Sequence, residues 1–212
     1  MTKRDSVETI RIQPLNIERL AVTIIGTAPY MQARFSAKAM QAMLNKHVAG
    51  SQSKKGSKKE GRDLDADFHG AMHISTGGWI GIPAASIRNA CIDVCRTAGF
   101  KMTHAKMSIF VEADGGDSVD GMPLIKLNAT APERTEMATR NATGVADIRI
   151  RPMWREWRAD VVLRYDADQF SASDVVNLLA RAGEQVGIGE GRPFSKASNG
   201  LGFGTFRLDT SE

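Results

Sequence analysis

Residues 157–165 have the sequence WRADVVLRY, in which every second side chain is apolar. The apolar positions that would share one face of a strand are Trp157, Ala159, Val161, Leu163 and Tyr165. The opposite face would carry Arg158, Asp160 and Arg164. Because successive side chains of a strand point to opposite sides, this stretch predicts a half-buried strand. A strand with one polar face is typical of an antiparallel sheet and argues against a doubly wound parallel sheet.

Apolar segments and turn residues on both sides of this strand predict the other elements. Further strands are expected at 20–25, 78–82, 107–111, 124–127 and 204–208. Helices are expected at 36–44, at 84–98 between Pro83 and Gly99, and at 173–182 after a Ser171 or Ser173 cap and before Gly183. Each half of the chain thus has a strand–helix–strand unit. The pattern predicts an α+β fold with a ferredoxin-like, RRM-like sheet of split βαβ type.

Length and composition limit the class of protein. The chain has 212 residues and is 42% hydrophobic, which is enough for the core of a single domain over residues 1–212. Apolar runs are shorter than the roughly 18–20 residues that span a bilayer, and the first residues lack the apolar stretch of a signal peptide. We therefore expect a cytoplasmic protein without membrane association. Cys91 and Cys95 lie four positions apart in a predicted helix and are expected to be buried thiols.

Positive charge is concentrated in a segment that cannot form a core. The net charge is +4, so its distribution matters more than its total. Residues 50–62 read GSQSKKGSKKEGR, and their basic side chains are Lys54, Lys55, Lys58, Lys59 and Arg62. Glycine, serine and lysine bury little apolar surface, so a flexible basic loop is predicted. Such a loop either remains solvated or closes over a polyanion.

A second basic segment combines arginines with tryptophans. Residues 149–158 read RIRPMWREWR, and the arginines of interest are Arg149, Arg151 and Arg155. Arginine pairs with phosphates and stacks on planar rings, and aromatic side chains stack on unpaired bases. The alternation at 157–165 places Trp157 in the core. Trp154 is either a core residue or a platform for a base, and it is retained as a candidate for nucleic-acid binding.

Glycines dominate the C-terminal segment. Residues 186–206 read VGIGEGRPFSKASNGLGFGTF. Glycine allows close approach of the backbone to a ligand, and exposed N–H groups bind phosphate oxygens. Gly189, Arg192 and Lys196 are therefore candidate phosphate-binding residues. The segment lacks the lysine and hydroxyl residue that end a Walker loop, and it does not lead from a strand into a helix as a dinucleotide-binding fingerprint does.

Catalytic and metal-binding patterns are weak. The histidines are scattered, and the pair His69 and His73 lacks a third metal ligand nearby. Residues 63–67 read DLDAD but lack the glycine and the final glutamate of a calcium loop. We therefore predict no catalytic residue, no metal and no cofactor.

Two segments together resemble the RAMP superfamily, the ferredoxin-like proteins of CRISPR effector complexes. Residues 79–90, WIGIPAASIRNA, resemble the strand, the IPG-type turn and the helix of that superfamily, and Arg88 in this helix joins the expected nucleic-acid-binding residues. The glycine-rich segment at 186–206 is similar to the C-terminal glycine-rich loop of the superfamily. The match is best with the backbone subunit, in which an insertion, here residues 30–75, holds guide RNA.

The resemblance implies an antiviral ribonucleoprotein. Copies of the chain would coat single-stranded guide RNA in a helical oligomer, help to capture a complementary DNA or RNA strand, and contact other effector subunits. A phage or plasmid homologue is equally compatible. Three alternatives remain open: an endoribonuclease with His47 or His69 as general base, a phage single-strand annealing protein, and a backbone subunit that cuts its target through Asp63, Asp65 or Asp67.

Overall fold

The computed structural model describes residues 12–35, 40–41, 44–45, 63–140, 146–195 and 200–210. Several predictions therefore lie outside the described residues. These are the predictions for Lys54, Lys55, Lys58, Lys59, Arg62, Lys196 and His47, and most of the predicted helix at 36–44.

The described part of the chain contains both strands and helices. The strands are β1 (Ile17–Gly26), β2 (Tyr30–Met31), β3 (Gly81–Pro83), β4 (Ile109–Val111), β5 (Gly115–Gly116), β6 (Pro123–Lys126), β7 (Asn128–Ala129), β8 (Glu133–Arg140), β9 (Ala146–Trp154), β10 (Trp157–Asp166) and β11 (Phe206–Leu208). The helices are α1 (Leu64–Gly70), α2 (Ala84–Ala98), α3 (Met102–Ser108) and α4 (Ala172–Arg181), with a π-helix at Ala182–Val186. The expected α+β class is confirmed.

The central sheet is antiparallel and has the order β11-β1-β10-β4, with β7 beside the start of β10. The longest pairing joins β1 to β10, from Ile17 opposite Asp166 to Ile25 opposite Arg158. In β10 the predicted apolar face is buried, while Arg158, Asp160 and Arg164 are exposed. The expectation for residues 157–165, including a buried Trp157, is confirmed.

The two long helices contribute to one hydrophobic core with the central sheet. Helix α2 has the predicted limits, and Gly99 ends it with φ of 79°. Helix α4 begins at a capping box between Ser171 and Asp174, as the Ser171 alternative predicts. The expected stop at Gly183 is wrong, because the π-helix carries the chain on to Gly187, whose φ is 67°.

Both cysteines are buried in this core and unpaired, as predicted. Burial raises the pKa of the Cys91 thiol to about 12. A thiol of that kind behaves as a small apolar side chain.

A second sheet, with the order β2-β9-β8, lies outside the central one. Strand β8 pairs with β9 along its whole length, whereas the sequence predicts no strand at these positions. Tyr30 of β2 is opposite Trp154 of β9. Strand β8 is polar and gives a weak periodic signal, and the buried Ile150 and Trp154 of β9 stand among arginines, which explains why this hairpin is not evident from the sequence.

The remaining differences concern short elements. The expected strand at 107–111 begins only at Ile109, because the preceding residues form α3. A third small sheet has the order β3-β6-β5. Of the expected insertion at 30–75, the described ends include Tyr30, Met31 and Met72, which are buried. Within the described ranges, no helix is long and apolar enough to cross a membrane.

Candidate nucleic-acid interface

A cleft with a volume of about 600 Å³ lies between the glycine-rich turn, the end of β2, β9 and the start of α2. We call it the arginine groove. Its lining residues are Tyr30, Gln32, Ala33, Arg34, Phe35, His73, Pro83, Ser86, Arg149, Arg151, Gly189, Glu190, Gly191, Arg192 and Ser195.

The glycine-rich turn is packed tightly against β2. The backbone N–H of Glu190 donates to the carbonyl of Met31 at 2.9 Å. A Cβ atom at Gly189 would lie 2.4 Å from that same carbonyl oxygen, and its φ is 79°, so this position requires glycine. Arg192 follows the turn, and its Nη1 donates to the carbonyl of Gly189 at 3.0 Å. The turn thus fixes one wall of the arginine groove.

Strand β9 supplies two arginines to the opposite wall. Arg149 and Arg151 are two positions apart and line the groove, whereas Ile150 between them is buried in the other direction. The Nη1 of Arg149 donates to Oε1 of Glu190 at 3.1 Å, and Nε of Arg151 donates to Oε2. The exposed fractions of the side chains are 36% for Arg149, 18% for Arg151 and 13% for Glu190. We call these three residues the outer cluster.

A second cluster of charged side chains lies deeper, and we call it the inner cluster. Asp117 has a fully buried carboxylate that accepts from Arg34 Nη2 at 2.9 Å and from His73 Nδ1 at 3.1 Å. The exposed fraction of the Arg34 side chain is 8%, and its Nε is buried without a hydrogen-bond partner in the described part of the chain. An unsatisfied buried donor is costly, so this atom marks a strained point of the groove.

The backbone of His73 is anchored through the side chain of Gln32. Its backbone N–H donates to Oε1 of Gln32 at 2.8 Å, and the Nε2 of Gln32 donates to the carbonyl of Gly81 at 2.7 Å. Burial lowers the pKa of His73 below its usual value of 6.5, and the hydrogen bond to Asp117 opposes that effect. At neutral pH the imidazole is therefore uncharged, with its Nδ1 proton directed at Asp117.

The start of α2 forms the third side of the arginine groove. Pro83 is the N-cap and offers no side-chain cap, and the first turn contains no acidic residue. Pro83 and Ser86 line the groove. The first N–H groups of a helix lack intrahelical acceptors, so this edge adds partial positive charge to the arginines.

The exposed aromatic residue at the groove is not the predicted one. Trp154 is 2% exposed and stacks on Tyr30 with ring centroids 5.7 Å apart, so its indole belongs to the core and offers no surface to a base. Phe35 lines the groove and is 66% exposed. The sequence contains no pattern around Phe35 that distinguishes it from a core phenylalanine.

The structure separates the predicted binding residues into two groups. Arg149, Arg151, Gly189 and Arg192 come together at the arginine groove. Arg88 instead donates from Nε to the carbonyl of Ile109 at 2.8 Å and lies over the ring of Phe110, which indicates a structural role.

Arg155 also lies away from the groove. It is paired with Glu133 at 2.9 Å, and both side chains are more than half exposed. An exposed ion pair of this kind contributes little to stability.

The acidic residues at 63–67 have local roles. Asp63 caps α1 by accepting the N–H groups of Asp65 and Ala66. Asp65 is paired with Arg134 of β8. His69 is exposed on α1. Among the described residues, no three His, Cys, Asp or Glu side chains are grouped so as to hold a metal ion.

Sequence reasoning missed Arg34, Asp117 and Glu190, and it did not place His73 at this site. These residues come from four distant segments that only the fold brings together. Comparison with known proteins found no matching family model and no significantly similar curated protein.

Proposed function

We propose that this chain is a non-catalytic subunit that binds single-stranded RNA along the arginine groove. One observation carries the proposal: Arg149 and Arg151 of β9 and Arg192 after the glycine-rich turn converge on one cleft, which the buried Arg34 also lines. Among the described residues that line the groove, only Glu190 carries a carboxylate. Arginine forms paired hydrogen bonds with phosphate oxygens, so such a cleft suits a phosphodiester backbone.

The other walls of the groove favour the same ligand. The uncapped start of α2 directs N–H groups toward anions, and the exposed ring of Phe35 is suited to stack on an unpaired base. A duplex hides its base faces inside the helix, whereas a single strand exposes them. The combination of charge and one exposed aromatic ring therefore favours a single strand.

We assign the fold to the ferredoxin-like, split βαβ type as part of this proposal. The order β11-β1-β10-β4, with α2 between β1 and β4 in the chain and α4 between β10 and β11, supports the assignment. The two segments that resemble the RAMP superfamily both reach the arginine groove, through Pro83 and Ser86 in one case and Gly189 in the other. That convergence supports a role like that of the backbone subunit.

The resemblance extends the proposal to assembly. Copies of the chain would line up along one guide RNA in a cytoplasmic ribonucleoprotein, contact other effector subunits and present the RNA to a complementary strand. The phosphate contacts fix position and do not read sequence. Binding is therefore expected to be similar for all RNA sequences of equal length.

Salt dependence and assembly test the proposal together. Affinity for an oligouridylate of about 20 nucleotides should fall steeply with salt, with a log–log slope of roughly 0.7 for each phosphate neutralised. Mass measurement should give particles whose size grows with RNA length. Equal affinity for double-stranded RNA, or one copy per strand at every length, contradicts the proposal.

The His73–Asp117 pair favours a second candidate function, an endoribonuclease with His73 as general base. Nε2 of His73 would accept the proton of a 2′-hydroxyl, the 2′-oxygen would attack phosphorus to close the cyclic phosphate, and the bond to the 5′-oxygen would break as that oxygen takes a proton from water. RNA with 2′,3′-cyclic phosphate ends, formed by wild type and lost in His73→Ala but kept in His69→Ala, would establish this activity. Intact RNA after long incubation with wild type excludes it.

A further inference from the structure

We propose that Glu190 is an internal competitor for the phosphates of the strand. The inference rests on the proposed function and concerns the selectivity of the same site. The carboxylate of Glu190 accepts from Arg149 Nη1 at 3.1 Å and from Nε of Arg151. A phosphate is held in a similar way, with two of its oxygens accepting hydrogen bonds from guanidinium groups. Glu190 therefore occupies a phosphate position in the arginine groove.

The backbone holds Glu190 in that position. Its N–H donates to the carbonyl of Met31 at 2.9 Å, and both flanking residues, Gly189 and Gly191, have positive φ values, of 79° and 77°. With 13% of its side chain exposed, Glu190 differs from a mobile surface carboxylate. The competing anion is thus part of the same rigid turn that forms the groove wall.

An internal competitor acts most strongly against small ligands. A tethered group acts at a high effective concentration, which a free anion must exceed to displace it. A lone phosphate or mononucleotide gains only the contacts of one site. A strand contacts Arg192 and the start of α2 at the same time, and these contacts offset the displacement of Glu190. The outer cluster would therefore admit strands and reject free nucleotides.

The test compares Glu190→Gln with wild type by fluorescence anisotropy on labelled oligouridylate. Glutamine keeps the shape of the side chain and removes its charge. We expect Glu190→Gln to bind about three- to tenfold more tightly, as for one gained charge-assisted contact. The salt slope should become steeper by roughly 0.7 per additional phosphate. Uridine monophosphate and inorganic phosphate should compete with the strand better in Glu190→Gln than in wild type.

Glu133→Gln is the matched control. It removes a glutamate that pairs with Arg155 on the same hairpin but outside the groove, and its affinity should equal that of wild type. A merely structural Glu190 predicts the opposite result, namely lower thermal stability together with weaker binding. Equal or weaker binding by a folded Glu190→Gln overturns the inference. Absence of binding by wild type and by both variants contradicts the proposed function itself.

Discussion

The inner and outer clusters border the same groove but differ in burial. In the inner cluster the exposed fractions of the side chains are 8% for Arg34 and 0% for Asp117. In the outer cluster they are 36% for Arg149, 18% for Arg151 and 13% for Glu190. Both clusters join an arginine to a carboxylate, so the chemistry is the same and the environment differs.

Burial decides what each cluster can do. A buried charge that loses its partner cannot turn to water, so the pair is locked and its loss destabilises the fold. A partly exposed arginine can exchange one anion for another at small cost, because water solvates the intermediate arrangement. We therefore assign the inner cluster to stability and the outer cluster to ligand exchange.

The largest effect is expected from Asp117→Ala. This change leaves the buried Arg34 guanidinium without its carboxylate and removes the acceptor of His73 Nδ1. Breaking a buried pair from one side costs about 3–5 kcal/mol in the free energy of unfolding. Urea denaturation monitored by tryptophan fluorescence measures the loss.

Asp120→Ala is the control for Asp117→Ala. Asp120 lies 4.0 Å from Arg34, and its side chain is 24% exposed, so its removal should cost less than about 1 kcal/mol. Similar losses for the two variants would show that burial is not what distinguishes the inner cluster.

Arg151→Ala should have an intermediate effect, on binding and not on stability. The variant removes a charged donor from the groove wall, and we expect a loss of about 1.5–3 kcal/mol in affinity for single-stranded RNA. Because Arg149 still pairs with Glu190 in this variant, the free energy of unfolding should change by less than about 1 kcal/mol.

Arg155→Ala provides the comparison for Arg151→Ala. This arginine lies four positions further along the chain, pairs with Glu133 and does not line the groove. Its variant should bind RNA as wild type does. If Arg151→Ala unfolds as readily as Asp117→Ala, the outer cluster is structural and the distinction between the two clusters fails.

The sequence predicts those parts of the molecule that are governed by short-range periodicity. Strand β10, helix α2 with Gly99 and the Ser171 cap each follow from alternation or capping within a few residues. The hairpin of β8 and β9 does not, because β8 has no clear apolar face and the arginines of β9 obscure the alternation of its buried Ile150 and Trp154.

Only some residues of the candidate site could be predicted from the sequence, for a related reason. The arginines of β9 and the glycine-rich segment stand out locally, so Arg149, Arg151 and Arg192 could be named in advance. Asp117 lies in a turn-rich stretch and Arg34 in a polar one, and their partnership spans 83 residues of sequence. Such pairs arise from the packing of segments that are distant along the chain, which one sequence does not reveal.

The smallest effect is expected from the titration of His73, and its sign tests the inner cluster directly. The groups that face the imidazole are Asp117, Arg34 and Asp120. Burial lowers the pKa of His73 in the folded protein, so between pH 6.5 and that lower pKa the unfolded chain binds a proton that the folded protein does not. Stability should therefore fall as the pH drops below about 6.5.

In His73→Asn, whose amide can still donate to Asp117, this component of the pH dependence should be absent. The difference in unfolding free energy between wild type and His73→Asn, followed from pH 7.5 down to about 5.5, measures it, because the carboxylates titrate mostly below that range. A wild type that instead gains stability relative to His73→Asn on acidification would mean that attraction to Asp117 outweighs burial. The inner cluster would then behave like a solvated ion pair, and the contrast with the outer cluster would disappear.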